Sequence, residues 1–144
     1  MMIIPKPVYY LSIMGLLPVI AGAIGSLNLI FLGDEFNKWL QEFGILFSAI
    51  ILSFLGGSIF IFEILLKKKI EFKGLVISML PSIWAIAAVN LPLSSFLLAI
   101  GYLATLERER VLFRTCNLPA WWLSMRLRLT SLMILVLIII GFNA

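Results

Sequence analysis

The apolar residues of this chain come in long unbroken blocks, and the length of those blocks limits what it can fold into. Residues 8–32 hold no charged side chain. A helix over them would reach about 37 Å at 1.5 Å per residue, more than the roughly 30 Å of a bilayer's hydrocarbon core. Further blocks follow at residues 42–66, 74–91, 92–108 and 119–142. Only 12% of the residues are charged and 62% are hydrophobic, whereas a soluble domain is about 25% charged. The expectation is an all-α integral membrane protein, one membrane domain over residues 1–144, built as a bundle of five transmembrane helices.

Breaks between the blocks are chemically distinct. "GDEFNKW" reads as a polar turn after the first, and "KKKIEFK" ends the second abruptly. "NLP" separates the third from the fourth, because Pro92 cannot continue a preceding helix but suits the first turn of a new one. The fourth block is the shortest and would have to extend through "ERER", read as a turn, by letting its cations snorkel. Charge decides that the third and fourth blocks are separate. With five spans, Lys6, Lys67, Lys68, Lys69, Lys73, Arg108, Arg110, Arg114, Arg126 and Arg128 share one side, and of the 11 cations only Lys38 lies on the other. Merging the two blocks would divide the cations almost evenly. The positive-inside rule prefers the lopsided arrangement and puts the N-terminus in the cytoplasm (or matrix) and the C-terminus outside. The N-terminal stretch has neither the basic start nor the cleavage site of a signal peptide, so the first block is expected to remain as a span.

Four motifs carry a resemblance: "GLLPVIAG" at residues 15–22, "ILSFLGG" at 51–57, "SMLPSIWA" at 78–85 and "LPAWWLSMRLRLT" at 118–130. In order and spacing they resemble the uncharacterised small membrane proteins of bacteria and mitochondria related to transmembrane protein 69, a domain of unknown function. The family's proline, tryptophan, second aromatic, arginine and threonine fall on Pro119, Trp121, Trp122, Arg126 and Thr130. Two departures stand out. The double glycine is followed by Ser58-Ile59-Phe60 in place of a basic residue and tryptophan, and the family's Tyr-Asp-Arg-like turn is "LERER" here. The resemblance implies a bacterial inner membrane, or alternatively the mitochondrial one, and no established activity.

Among individual residues, Arg126 is the most telling. It lies about 10 Å into a helix that starts near Pro119, and Trp122, Arg126 and Thr130 form one stripe. Either Arg126 anchors lipid headgroups with Arg128, or it turns inward to meet a carboxylate. Glu63 is the one carboxylate inside an apolar block. It is placed either to snorkel beside Lys67, four residues on, or to pair with Arg126 and fix the second helix to the fifth. Ala49, Ser53 and Gly57, with Gly56 beside them, make a small-residue face suited to close helix approach. Lys67, Lys68, Lys69, Arg110 and Arg114 are the expected contacts to anionic headgroups, and "RERVLFRTCNLPAWW" is expected to lie along the interface. Pro18 and Pro81 suggest kinks, and Trp39 and Trp84 suit belt or packing positions.

Absences narrow the chemistry. The chain has no histidine and one cysteine, Cys116. Histidine-based acid–base catalysis, haem ligation, the common metal sites and an activated thiol have no basis here. No glycine-rich phosphate loop occurs. The expectation is a non-catalytic membrane protein without cofactor and without a nucleic-acid face. It would serve as scaffold or assembly factor, or engage anionic lipid headgroups or a membrane-protein partner through its basic end. The alternative is a small transporter or ion-conducting bundle using Glu63. One sequence leaves the oligomeric state open.

Overall fold

The computed structural model describes residues 3–144. Over these the chain forms five helices and no strand: α1 Lys6–Ser26, α2 Asp34–Leu65, α3 Phe72–Val89, α4 Ser94–Thr115 and α5 Ala120–Asn143. All but α4 are long and apolar enough to cross a membrane, as in a multi-pass membrane protein.

Helix boundaries depart from expectation where local hydrogen bonding outweighs hydropathy. The first apolar block is not one helix. Ser26 Oγ turns back onto the Ala23 carbonyl at 2.7 Å, and Asn28 takes a left-handed φ of 52°, a conformation asparagine tolerates better than most residues. After Gly33, itself at φ 108°, α2 begins at Asp34, so most of "GDEFNKW" is helix rather than turn. Asp34 and Glu35 occupy its first turn, where negative charge favours the helix dipole. Asn37, 2% exposed, donates through Nδ2 to Ile30 O at 2.9 Å and ties the connecting loop to α2.

The second difference is at α4. No glycine or proline stands between Leu106 and Thr115, so the helix continues through "ERER" and stops only before Asn117-Leu118-Pro119. Most of the stretch expected along the interface is therefore the end of α4 and the start of α5. Pro92 precedes α4 without entering it, and Pro18 and Pro81 lie within unbroken helices.

α2 touches all four other helices, and α1 also meets α5, which closes the bundle. Leu52, Leu98 and Leu137 are fully enclosed at its centre, and the Tyr102 hydroxyl donates to the Ser48 carbonyl. Large apolar side chains such as Phe54, Ile83, Ile86 and Leu135 stay exposed on the outer faces, as suits helices whose solvent is hydrocarbon.

Small residues let the backbones close up. A Cβ on Gly44 would lie 2.7 Å from Gly22 Cα, and one on Gly56 would lie 2.8 Å from Ser78 O. Ala49 is 6% exposed, and Ser53 Oγ donates to Ser82 Oγ of α3 at 2.8 Å. Gly57 does not belong to this face: a Cβ there would meet nothing within 4 Å. A strict four-residue ladder drifts about 40° per step around a helix, whereas seven residues return within about 20°. Gly56 thus stays over Ala49 while Gly57 has rotated away.

Candidate functional site

Charged side chains gather where α2 and α4 end and α3 and α5 begin. Glu63, in the last turns of α2, is 0% exposed. Its Oε1 accepts from Arg108 Nη2 of α4, and Lys67 Nζ stands 2.8 Å from its Oε2. Gly74 of α3 roofs the carboxylate so closely that a Cβ would come within 2.5 Å of Oε2. Glu109, 1% exposed, accepts from Arg126 Nε of α5 at 2.8 Å. Arg108 and Glu109 are neighbours on α4 and so point about 100° apart. One reaches α2 and the other α5. Glu107 and Arg110 pair with each other at 2.8 Å on the exposed side of the same turn. Every charge of "ERER" therefore has a partner, and α4 is the hub of the network.

The Glu63–Arg126 pair does not form. Both residues are buried and inward-facing, but α4 lies between them and supplies each with its own counter-charge. The Lys67 contact read from four-residue spacing is present, so the Lys67 ammonium is not a free headgroup contact, and neither is Arg110. Lys68, Lys69 and Arg114 are exposed and enter no ion pair among the described residues.

The start of α5 completes the site. Pro119 precedes its first turn, and the Trp122 ring meets Phe62 of α2 edge-on at 5.4 Å and packs against Trp121 at 5.9 Å. Arg126, Thr130, Met133, Leu137 and Ile140 form its buried stripe, while Arg128 is exposed. Arg108 Nε and Thr130 Oγ1 are buried here without a partner, and the Trp122 indole lies beside the Glu109 carboxylate.

The whole assembly falls within residues 4–142, which match the family model described as a protein of unknown function, DUF3429. The chain belongs to the DUF3429 family. No curated protein and no solved structure matches it.

In this DUF3429 protein Arg108 and Glu109 are the site residues that the sequence reading did not single out. The available signal was the missing helix breaker between Leu106 and Thr115. Taken as helix, "ERER" directs adjacent charges toward different neighbours. Taken as a turn, it becomes a solvated charge cluster.

The same contacts order the bundle's ends. Glu63–Arg108 and Glu109–Arg126 join the ends of α2 and α4 to the start of α5, and Ser12 of α1 donates to Met125 Sδ at 3.9 Å. Ten of the 11 cations and four of the seven carboxylates lie at this end. Lys38, Asp34, Glu35 and Glu42 lie toward the other, where Phe96 at the start of α4 meets Phe142 at 5.4 Å.

Proposed function

We propose that this protein is a non-catalytic, five-span protein of the bacterial inner membrane, or of its mitochondrial counterpart, akin to the transmembrane protein 69 group. In this reading α4 is the fifth span, the basic end faces the cytoplasm or matrix, and the C-terminus lies outside. The basic end holds anionic lipid headgroups and, through them or beside them, a membrane-protein partner.

The supporting observation is how the charges are allocated. Of the carboxylates at the basic end, Glu63, Glu107 and Glu109 each have a cation. Lys6, Lys68, Lys69, Lys73, Arg114 and Arg128 remain exposed and outside any ion pair among the described residues. Each such cation near an anionic leaflet contributes about 1 kcal/mol of attraction. In nanodiscs of mixed phosphatidylcholine and phosphatidylglycerol, native mass spectrometry is expected to find phosphatidylglycerol enriched around the protein. Changing Lys68, Lys69 and Lys73 together to Gln should reduce the enrichment. Equal retention of both lipids by the unaltered protein refutes the reading, and tags reporting both termini in one compartment refute the topology.

The surroundings of Glu63 give the conducting alternative little support. A carboxylate held by two cations and roofed by a helix backbone is a structural clamp rather than a relay. Proton flux into liposomes is expected to be at background, with and without Glu63→Gln.

A further inference from the structure

Arg126 commits only part of its guanidinium to Glu109. Its Nε makes the 2.8 Å bond, and among the described residues nothing accepts from its two terminal Nη groups. The side chain is 10% exposed and lines a half-open cavity of about 260 Å³ between α1, α2, α4 and α5. Thr130, one turn along α5, lines the same cavity, but its Oγ1 is buried away from the open space. The other polar groups in the wall are already engaged: the Tyr102 hydroxyl on Ser48 O, and Ser12 Oγ on Met125 Sδ. The remainder is apolar, with Leu11, Ile51, Phe54 and Met133 among it.

This arrangement selects a ligand chemistry. Guanidinium N–H groups without an acceptor line an otherwise greasy pocket. Donors left unmade there are costly, and a guanidinium fork is best satisfied by a carboxylate or phosphate. A neutral head would leave the fork unmatched. At roughly 30 Å³ per small heavy-atom group the cavity takes about nine such groups. That is a head and the first carbons of one chain, the rest running out into the bilayer. The added negative charge would be offset by the unpaired cations of the same end.

We propose that this cavity binds the oxyanion head and proximal chain of an acyl lipid, with the Arg126 Nη groups donating to the head. The inference rests on the proposed membrane placement, but it concerns a site between helices rather than the exposed basic surface.

Gly15 provides a test that spares the ionic network. It lines the cavity, and a Cβ built on it meets nothing within 4 Å, so Gly15→Phe would fill the space without a backbone clash. The protein is placed in phosphatidylcholine nanodiscs and titrated with palmitate, dipalmitoyl phosphatidic acid or the neutral palmityl alcohol. Bound copies are then counted by native mass spectrometry. The unaltered protein should retain one acidic lipid and hold the alcohol about tenfold less well, as expected for loss of a charged hydrogen bond. Gly15→Phe should abolish acid retention with the unfolding temperature unchanged or raised. Retention of palmitate alone identifies a free fatty acid, and of phosphatidic acid alone a phospholipid. Acid and alcohol held equally, or acid binding untouched by Gly15→Phe, overturns the site. If Gly15→Phe removes acid binding while the lysine variants leave phosphatidylglycerol enrichment intact, the surface reading fails and the cavity stands. The reverse pattern sinks the cavity alone.

Discussion

Toward the α1–α2 loop, Gly22 and Gly44 bring two backbones together with no room for a single carbon between them. At the opposite end the helices are joined by long charged side chains, with Glu63 and Glu109 each reaching across to a neighbour. The difference follows from the solvent. In hydrocarbon there is no hydrophobic drive between helices, so association needs close packing or polar contacts. A charge at mid-membrane costs at least ~2.5 kcal/mol, which confines ion pairs to the end nearest water and leaves the remaining seams to glycine. The two seams should therefore fail in different ways.

The largest expected effect is at the ionic seam. Arg126→Leu leaves the Glu109 carboxylate, 1% exposed, without its partner. Breaking a buried pair from one side costs about 3–5 kcal/mol, and replacing both members restores most of it. Thermal unfolding in mild detergent should show that loss, with Glu109→Leu/Arg126→Leu recovering the greater part. The same measurement separates the two possible wirings. Glu63→Gln and Arg126→Leu should couple less strongly than Glu109→Leu and Arg126→Leu, because they share no direct contact. Strong coupling between them would falsify the arrangement in which α4 intervenes.

The glycine seam should yield next. Gly44→Ala forces a methyl group against the α1 backbone, which cannot swing aside as a side chain would. Overpacking of this kind costs about 1–3 kcal/mol. Gly57→Ala, facing open space in the same helix, should instead be neutral or stabilising by up to ~1 kcal/mol from helix propensity alone. If both substitutions behave alike, close approach is not what holds α1 to α2.

Gly74 joins the two mechanisms, since its missing side chain makes room for the Glu63 carboxylate. Gly74→Ala should cost about 1 kcal/mol, less than at Gly44 because the obstacle is the end of a side chain. On a Glu63→Ala background the penalty should vanish. A penalty that persists would mean the glycine serves something other than the carboxylate, and the unfolding temperatures of the two pairs decide it.

What the sequence revealed and what it hid divide along the same line. Block lengths and the clustering of cations were legible because hydropathy and charge are properties of single segments. That Arg126 could turn inward was legible from its stripe with Trp122 and Thr130. Its partner was not. Glu63 and Glu109 are equally plausible to a reader who takes "ERER" for a turn, and only a helix running on to Thr115 places Glu109 beside α5. The Gly22–Gly44 approach was likewise hidden, because a glycine in an apolar block does not say which helix it faces. The Asp34 start of α2 was obscured by polar residues that resemble a loop and are in fact a helix's first turn.

The smallest expected effect tests how much a hydrogen bond adds where glycine has already brought backbones close. Ser53 Oγ and Ser82 Oγ meet at 2.8 Å beside the Gly56 contact with Ser78 and Pro81. Interhelical side-chain bonds in membranes average about 0.6 kcal/mol, because the separated helices find other partners for the same groups. Ser53→Ala should therefore shift the detergent unfolding temperature only slightly, and Ser53→Ala/Ser82→Ala no further than the single change. A loss as large as that at Gly44 would show that α2 and α3 are held by the hydroxyls rather than by the fit around Gly56, and the contrast between a packed seam and a polar one would no longer describe this half of the bundle.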